Sequence, residues 1–242
     1  MPKYRYAIVI GASSGIGREI ARQLAQSGCR VAAVARRRDR LEELHKSFPD
    51  LFIPAEHDVT DYDAIPALFQ DLTGKLGGLD LIVYASGAMP MVEENEFNFQ
   101  KDRQMIEVND LGAVAWLNQA AERFQNTKHG TIVGIGSVAG DRGRLKQPVY
   151  NASKAFLHTY LEALRNRLSR HSVRVVTVKP GPVKTEMTAG LDPPKAITAE
   201  SAAAVILKKS ARGGEHYLSP IHAVIFCIIQ NIPSWIFRRL NI

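Results

Sequence analysis

The feature that most constrains this chain is Gly11-Ala12-Ser13-Ser14-Gly15-Ile16-Gly17, because of what flanks it on either side. Before it runs Tyr6-Ala7-Ile8-Val9-Ile10, a continuous apolar segment of the kind buried on both faces of a parallel sheet. After it comes an amphipathic stretch to about Ser27, with Gly28 past its end as a helix stop. Strand, glycine turn and helix in that order make a phosphate-binding device. Gly11 permits the tight turn, Gly15 lets the backbone approach a pyrophosphate, and Gly17 lets the helix pack close. The helix N-terminus supplies free amides and partial positive charge.

The same alternation continues. A second strand, Val31 to Ala35, ends in Arg36-Arg37-Arg38, where a carboxylate would favour a bare ribose. With no carboxylate to repel it, a 2′-phosphate is predicted to pair with Arg36, helped by Ser13, which favours NADPH over NADH. Arg37 and Arg38 are assigned to a solvated helix start. Further units follow: a helix near Asp39 to Ser47, a strand Leu51 to Ala55, a helix Asp61 to Thr73 and a strand Leu79 to Tyr84. Repeated β-α units predict an α/β fold with a doubly wound parallel sheet, the Rossmann fold. One domain over 1–218 and an apolar helical C-terminal extension over 219–242 are expected.

The pattern also marks candidate side chains. Asp58-Val59 follows the third strand, where the carboxylate either takes the adenine amine or caps a helix. Ala85-Ser86-Gly87 offers small residues beside a cofactor. A long helix from about Asp102 to Asn126 carries Asn109 amid Ile106, Val108, Leu111 and Val114, and an amide there should bond a kinked backbone or hold a water.

Length and composition set limits. The 242 residues, 45% of them apolar, suffice for one sizeable α/β domain. The formal charge of +7 suits nucleic acid, a membrane surface or an anionic ligand, but no nucleic-acid-reading motif accompanies it. Cys29 and Cys227 stand in apolar surroundings and read as buried thiols of a reducing compartment. No secretory signal precedes the first strand, so a protein in the cytosol or on the cytosolic face of a membrane is expected. The seven histidines show no metal-ligand spacing, no metal is expected, and His57, His158 and His171 are assigned to the surface or to helix faces.

Catalytic chemistry is suggested by Tyr150-Asn151-Ala152-Ser153-Lys154, which stacks a phenol and an amine on one helix face. A nearby ammonium favours phenolate over phenol, so Lys154 is expected to lower the Tyr150 pKa. Ser137, closing the strand-like run Thr131 to Gly136, stands ready to donate to the same carbonyl oxygen that Tyr150 would protonate.

Taken in order, Gly11-x-x-x-Gly15-x-Gly17, Asp58, Gly87, Asn109, Ser137, Tyr150-x-x-x-Lys154 and Pro180-Gly181-Pro182-Val183-Lys184-Thr185 resemble the short-chain dehydrogenase/reductase family from Tyr4 to about Tyr217. The resemblance implies that Tyr150 is the proton donor or acceptor and that Lys154 tunes it while bonding the nicotinamide ribose. It implies that Ser137 orients the carbonyl and that Asn109 holds a water linking Lys154 to solvent. Pro180 and Gly181 would lie against the cofactor, with Val183 at its carboxamide and Thr185 on the pyrophosphate side. Ser14 and Ile16 join the glycines at the phosphates. Two departures are Tyr84-Ala85-Ser86-Gly87, where the family often has Asn-Asn-Ala-Gly, and Ile10, where a threonine is common.

Substrate reading rests on the C-terminal third. Glu186 to Pro194 is a short, proline-stiffened lid that leaves the cleft open. After a helix Thr198 to Ser210 and a strand near His216 to Leu218, the chain runs Ile221 to Ile229 and then Ile232-Pro233-Ser234-Trp235-Ile236-Phe237-Arg238-Arg239-Leu240. This ending is similar to the tails of reductases that act on polyprenyl-phosphate keto-sugars. It is too short and too polar to span a bilayer, which needs ~20 apolar residues, yet it suits an interfacial anchor. The expected substrate is therefore a small-molecule or lipid-linked carbonyl compound. The alternatives are a soluble reductase of small ketones or aldehydes whose tail forms a subunit interface, and a cofactor-binding interaction module; a homodimer or homotetramer is expected.

Overall fold

The computed structural model describes residues 3–190 and 196–240. Its apolar runs become seven parallel strands. These are β1 (Tyr6–Ile10), β2 (Arg30–Ala35), β3 (Phe52–Glu56), β4 (Leu81–Tyr84), β5 (Gly130–Ile135), β6 (Val173–Lys179) and, after two short strands β7 (Val183–Lys184) and β8 (Ile197–Thr198), β9 (Gly214–Tyr217). The sheet order is β3-β2-β1-β4-β5-β6-β9, with β7 and β8 paired separately. Ala7 sits between Val31 of β2 and Leu81 of β4, so the chain first winds outward one way from β1 and then returns to wind the other. That reversal opens a crevice beyond the carboxyl ends of β1 and β4, the place where such sheets bind ligands.

Helices cover both faces. On one lie α1 (Gly15–Gln26), α2 (Arg38–Ser47) and α7 (Ala199–Lys209), whose Ile20, Leu24, Leu41 and Ile206 pack with Val9, Val31 and Val133. On the other lie α3 (Ile65–Leu76), α5 (Gly112–Thr127) and α6 (Pro148–Leu168), which bury Phe69, Trp116, Leu161 and Leu164 against Ile8, Ile82 and Ile132. Two filled faces explain why the central strands are apolar at every position rather than at alternate ones.

The long helix expected from Asp102 to Asn126 is interrupted. It comprises α4 (Phe99–Ile106), a π-helical turn at Glu107–Leu111, and α5. The wide turn is held from outside: Tyr84 Oη donates to the Val108 carbonyl at 2.5 Å and Tyr62 Oη to the Glu107 carbonyl at 3.2 Å. Tyr84, one of the departures from the family pattern, is thus fully buried as an anchor for this turn. Two further expectations are corrected. Cys29 is buried but Cys227 is exposed, because α8 (Pro220–Asn231) buries none of its residues. His57 lies outside any helix and is buried, edge-on to Trp116 at 5.6 Å between ring centroids, while His158 stands on α6 as expected, on its buried side.

Candidate active site

The glycine turn is packed to its limit against the end of β4. Gly11 has φ of 86°, and a Cβ there would stand 2.6 Å from the Ser86 amide nitrogen. A Cβ on Gly17 would collide with the Gly11 carbonyl. Neither position admits a side chain, so backbone lines the floor of the crevice. Above it opens a cavity of about 760 Å³. Ser13, Ser14, Gly15 and Ile16 line it at one side, with Thr185 opposite, its methyl 3.1 Å from where a Gly15 Cβ would lie.

The arginines at the end of β2 are arranged differently from the expectation. Arg36 lies on the cavity wall and pairs with Asp58 at 3.7 Å. Ser13, however, accepts from Arg37, whose Nη2 stands 3.1 Å from its hydroxyl while Nη1 pairs with Glu186 at 2.8 Å. Arg37 therefore lines the cavity rather than merely opening a solvated helix; Arg38 is the surface residue, side chain 71% exposed. Sequence reasoning missed Arg37 because a run of three like residues gives no signal as to which one faces inward. Asp58 accepts from the backbone and hydroxyl of Thr60 at 3.0 and 2.9 Å, and these bonds with Arg36 hold its carboxyl below the usual range against the opposing effect of burial. Val59, beside it, also borders the cavity.

At the other end the catalytic candidates converge. Ser137 follows β5, Tyr150 and Lys154 project from α6, and Gly87 follows β4, all on one cavity. A Cβ on Gly87 would lie 3.6 Å from Asn109 Oδ1 and 3.7 Å from Lys154 Nζ. Asn109 is fully buried and spends its amide on protein: Oδ1 accepts from the Ala88 amide at 2.7 Å, and Nδ2 donates to the Ala88 carbonyl and to Ser153 Oγ, each at 3.0 Å. It ties the π turn to the loop after β4 and to α6. Lys154 Nζ donates to the Ile135 carbonyl at 3.2 Å and stands 5.7 Å from the Tyr150 ring centre. Pro180, Gly181 and Val183 complete the wall beneath.

Electrostatics at this end revise one expectation. Burial pushes the Tyr150 phenol above its ordinary value, opposed by the Ser137 hydroxyl and the Arg144 guanidinium rather than by Lys154. Lys154 is lowered by burial to about 8, with Asp110 pulling the other way. Asp110, also buried, is raised to about 7. Neither Asp110 nor Arg144 stood out in the sequence, since each looks there like an ordinary surface charge.

Ser137 is positioned from behind. Its amide donates to His158 Nε2 at 3.3 Å, which places the imidazole proton on Nδ1. Burial, then the charges of Lys179 and Lys154, lowers His158 to about 3, so it stays neutral and keeps that acceptor. Nearby, Asp141 binds Lys179 and accepts from Tyr217 Oη at 2.8 Å, fixing the turn after Ser137 to the ends of β6 and β9. Of the lid, Glu186–Thr188 forms a 3-10 turn with Met187 over Gly87, while Leu191 to Pro194 fall outside the described residues.

Comparison with known proteins gives a consistent picture. The family model described as short chain dehydrogenase matches residues 5–196. An oxidoreductase of Myxococcus xanthus (strain DK1622) is 40% identical over 189 residues, 77% of this chain and 75% of the relative. A short chain dehydrogenase from Burkholderia cenocepacia J2315, solved in complex with NADP, superposes with a TM-score of 0.86 at 23% identity, over 100% of this chain and 99% of that one. The closed form of a serine dehydrogenase complexed with NADP+ gives 0.82 at 27% identity, over 89% and 95% of the two chains.

Proposed function

The chain belongs to the short-chain dehydrogenase family, an oxidoreductase family, and from that premise we propose that it is an NADPH-dependent reductase of a bulky apolar or lipid-linked ketone. The observation that carries the reading is the convergence of Ser137, Tyr150 and Lys154, with Asn109 buried behind Gly87, on one end of a cavity whose other end is a glycine-floored phosphate cradle. The cradle fits a dinucleotide, since Gly11, Gly15 and Gly17 present backbone rather than side chains to the cavity at the start of α1. Solved relatives carry NADP, and Arg36 with Arg37 offers guanidinium groups for a 2′-phosphate.

Bound NADPH supplies a hydride to the carbonyl carbon. The chain's own part is to orient the carbonyl and deliver a proton. Ser137, held by the His158 contact to its amide, donates to the carbonyl oxygen. Tyr150 gives its Oη proton to that oxygen as negative charge develops there, so the alcohol leaves neutral. A phenol raised by burial keeps this proton at neutral pH, which suits the direction of reduction. The Ser137 hydroxyl and the Arg144 guanidinium, which already oppose the effect of burial on this phenol, then stabilise the phenolate until it is reprotonated.

The test is Tyr150→Phe, which keeps the ring and removes the proton. Turnover of a competent ketone should fall on the order of a hundredfold or more while NADPH still binds. Near wild-type rates in that variant would sink the mechanism. For the cofactor, NADPH should bind more tightly than NADH, and Arg36→Ala should remove most of a gap worth about 1.5–3 kcal/mol. If Arg37→Ala removes it instead, the Ser13-bound arginine is the phosphate reader.

The lipid-linked substrate rests on the tail. Among the described residues no helix is long and apolar enough to cross a membrane. Yet Ile221, Val224, Ile225 and Ile228 stand exposed at helical spacing on α8, with Trp235 exposed beside the basic pair Arg238-Arg239. That combination suits the surface of an anionic bilayer, and it would hold the open cleft toward a ketone that stays in the membrane. Full-length protein should sediment with anionic vesicles at low salt and be released at high salt. A supernatant location at both salts would leave the subunit-interface reading of the tail.

A further inference from the structure

Among the described residues four Lys and Arg side chains border the cavity, and three of them have partners in the chain. Arg36 pairs with Asp58 at 3.7 Å, Arg37 with Glu186 at 2.8 Å, and Lys154 donates to the Ile135 carbonyl at 3.2 Å. The fourth, Arg144, has no carboxylate paired with it among the described residues, and its Nε is buried without a hydrogen-bond partner. A guanidinium half withdrawn from water without a counter-charge is costly, and structures keep such groups chiefly where something supplies the missing anion.

Its mounting is rigid. Asn151, next to Tyr150 on α6, donates from Nδ2 to the carbonyls of Lys146 at 3.0 Å and Arg144 at 3.5 Å. Gln147 holds a left-handed backbone with φ of 58°, unusual for a residue with a side chain, just before Pro148 starts the helix. The loop that carries Arg144 is therefore fixed to the same helix that carries the phenol. Burial lowers the Arg144 pKa, and Tyr150 is the titratable group whose charge opposes that effect. Arg144 belongs to the Tyr150 end of the cavity, away from the glycine cradle where cofactor phosphates would lie.

We infer that Arg144 is a substrate-binding residue that pairs with an oxyanion, a carboxylate or a phosphate, carried by the ketone. This rests on the reductase reading for identifying that end of the cavity as the substrate end. An oxyanion offers two acceptor atoms to the planar guanidinium fork, which fits Arg better than Lys. A lipid-linked substrate with a phosphate near its ketone would meet the requirement, and so would a free keto acid.

The test reads binding rather than turnover. Protein saturated with NADP+, so that its own phosphate positions are filled, is titrated by calorimetry with benzoate, phenyl phosphate and neutral benzamide. At least one anion should bind tenfold or more tightly than benzamide, and the stronger of the two identifies carboxylate or phosphate as the group. Arg144→Gln should erase that preference and Arg144→Lys should restore part of it, with NADP+ affinity checking that both variants fold. Saturable anion binding absent from the unmodified protein, or a preference that survives Arg144→Gln, overturns the inference. Failure to reduce any ketone would instead overturn the reductase reading and leave this result standing.

Discussion

The glycine turn after β1 and the helices α8 and α9 (Ser234–Phe237) are both built from small and apolar residues, but they meet opposite surroundings. At the turn an added Cβ on Gly11 would lie within 2.9 Å of three backbone atoms of the β4 end. Along α8 no residue is buried, and in α9 only Phe237 is. The difference shows that apolar character decides position only where the rest of the chain supplies a complementary surface. For the turn that surface is the parallel sheet; for the outer face of the tail none lies among the described residues.

The largest effect should come from filling the packed region. Gly17→Ala pushes a methyl into the Gly11 carbonyl, so the helix must retreat from the sheet at an expected cost of about 1–3 kcal/mol. NADPH affinity should fall with it. The paired control is Gly74→Ala in α3, where a Cβ meets nothing within 4 Å. That change should raise stability by about 0.5–1 kcal/mol, because alanine is the better helix former. Thermal melts and cofactor titrations of the two variants settle the matter; equal melts would mean the turn has more slack than its geometry suggests.

The same contrast explains what could be read before any coordinates. The strand–turn–helix unit, the β-α alternation and the spacing of Ser137, Tyr150 and Lys154 were legible because backbone geometry demands particular residues at fixed separations. Side-chain pairings were not. Which of Arg36, Arg37 and Arg38 faces the cavity depends on Glu186 and Ser13, 24 and more residues from Arg37. The π turn depends on a bond from Tyr84 to Val108, 24 positions away. Asp110 and Arg144 look in the sequence like any surface charge, and their burial is a property of the assembled cleft.

Asp110 allows a second, smaller test of the packed region. Its carboxyl is raised to about 7 by burial, with Lys154 opposing, and its Oδ1 has no partner. The folded group therefore binds its proton more tightly than the unfolded one, for which the ordinary value is ~3.9. Between about pH 4 and 7 the native state holds the extra proton, so this group makes stability fall as pH rises through that window. Asp110→Asn should raise the melting temperature at pH 7 and above, with the gain shrinking toward pH 4. A gain that does not vary with pH would show that the carboxyl is ionised throughout.

The smallest stability effect is expected in the tail, and its smallness is the point. The pair Val224→Ser and Ile228→Ser removes two exposed apolar side chains from α8, so folding stability should change by no more than about 0.5 kcal/mol for each. The contacts that dock the tail lie on its other side. Arg142 donates to the Gln230 carbonyl at 2.9 Å and to Ser234 Oγ at 3.3 Å, and covers the Phe237 ring at 4.8 Å, while Tyr217 and Phe226 stack at 6.3 Å. The double variant should therefore melt and bind NADPH like the parent while losing its association with anionic vesicles. If it instead melts well below the parent with no change in subunit number, the face is packed within the chain. A fall in subunit number with vesicle binding intact would assign the face to a partner copy, and the lipid-linked substrate would lose its main support.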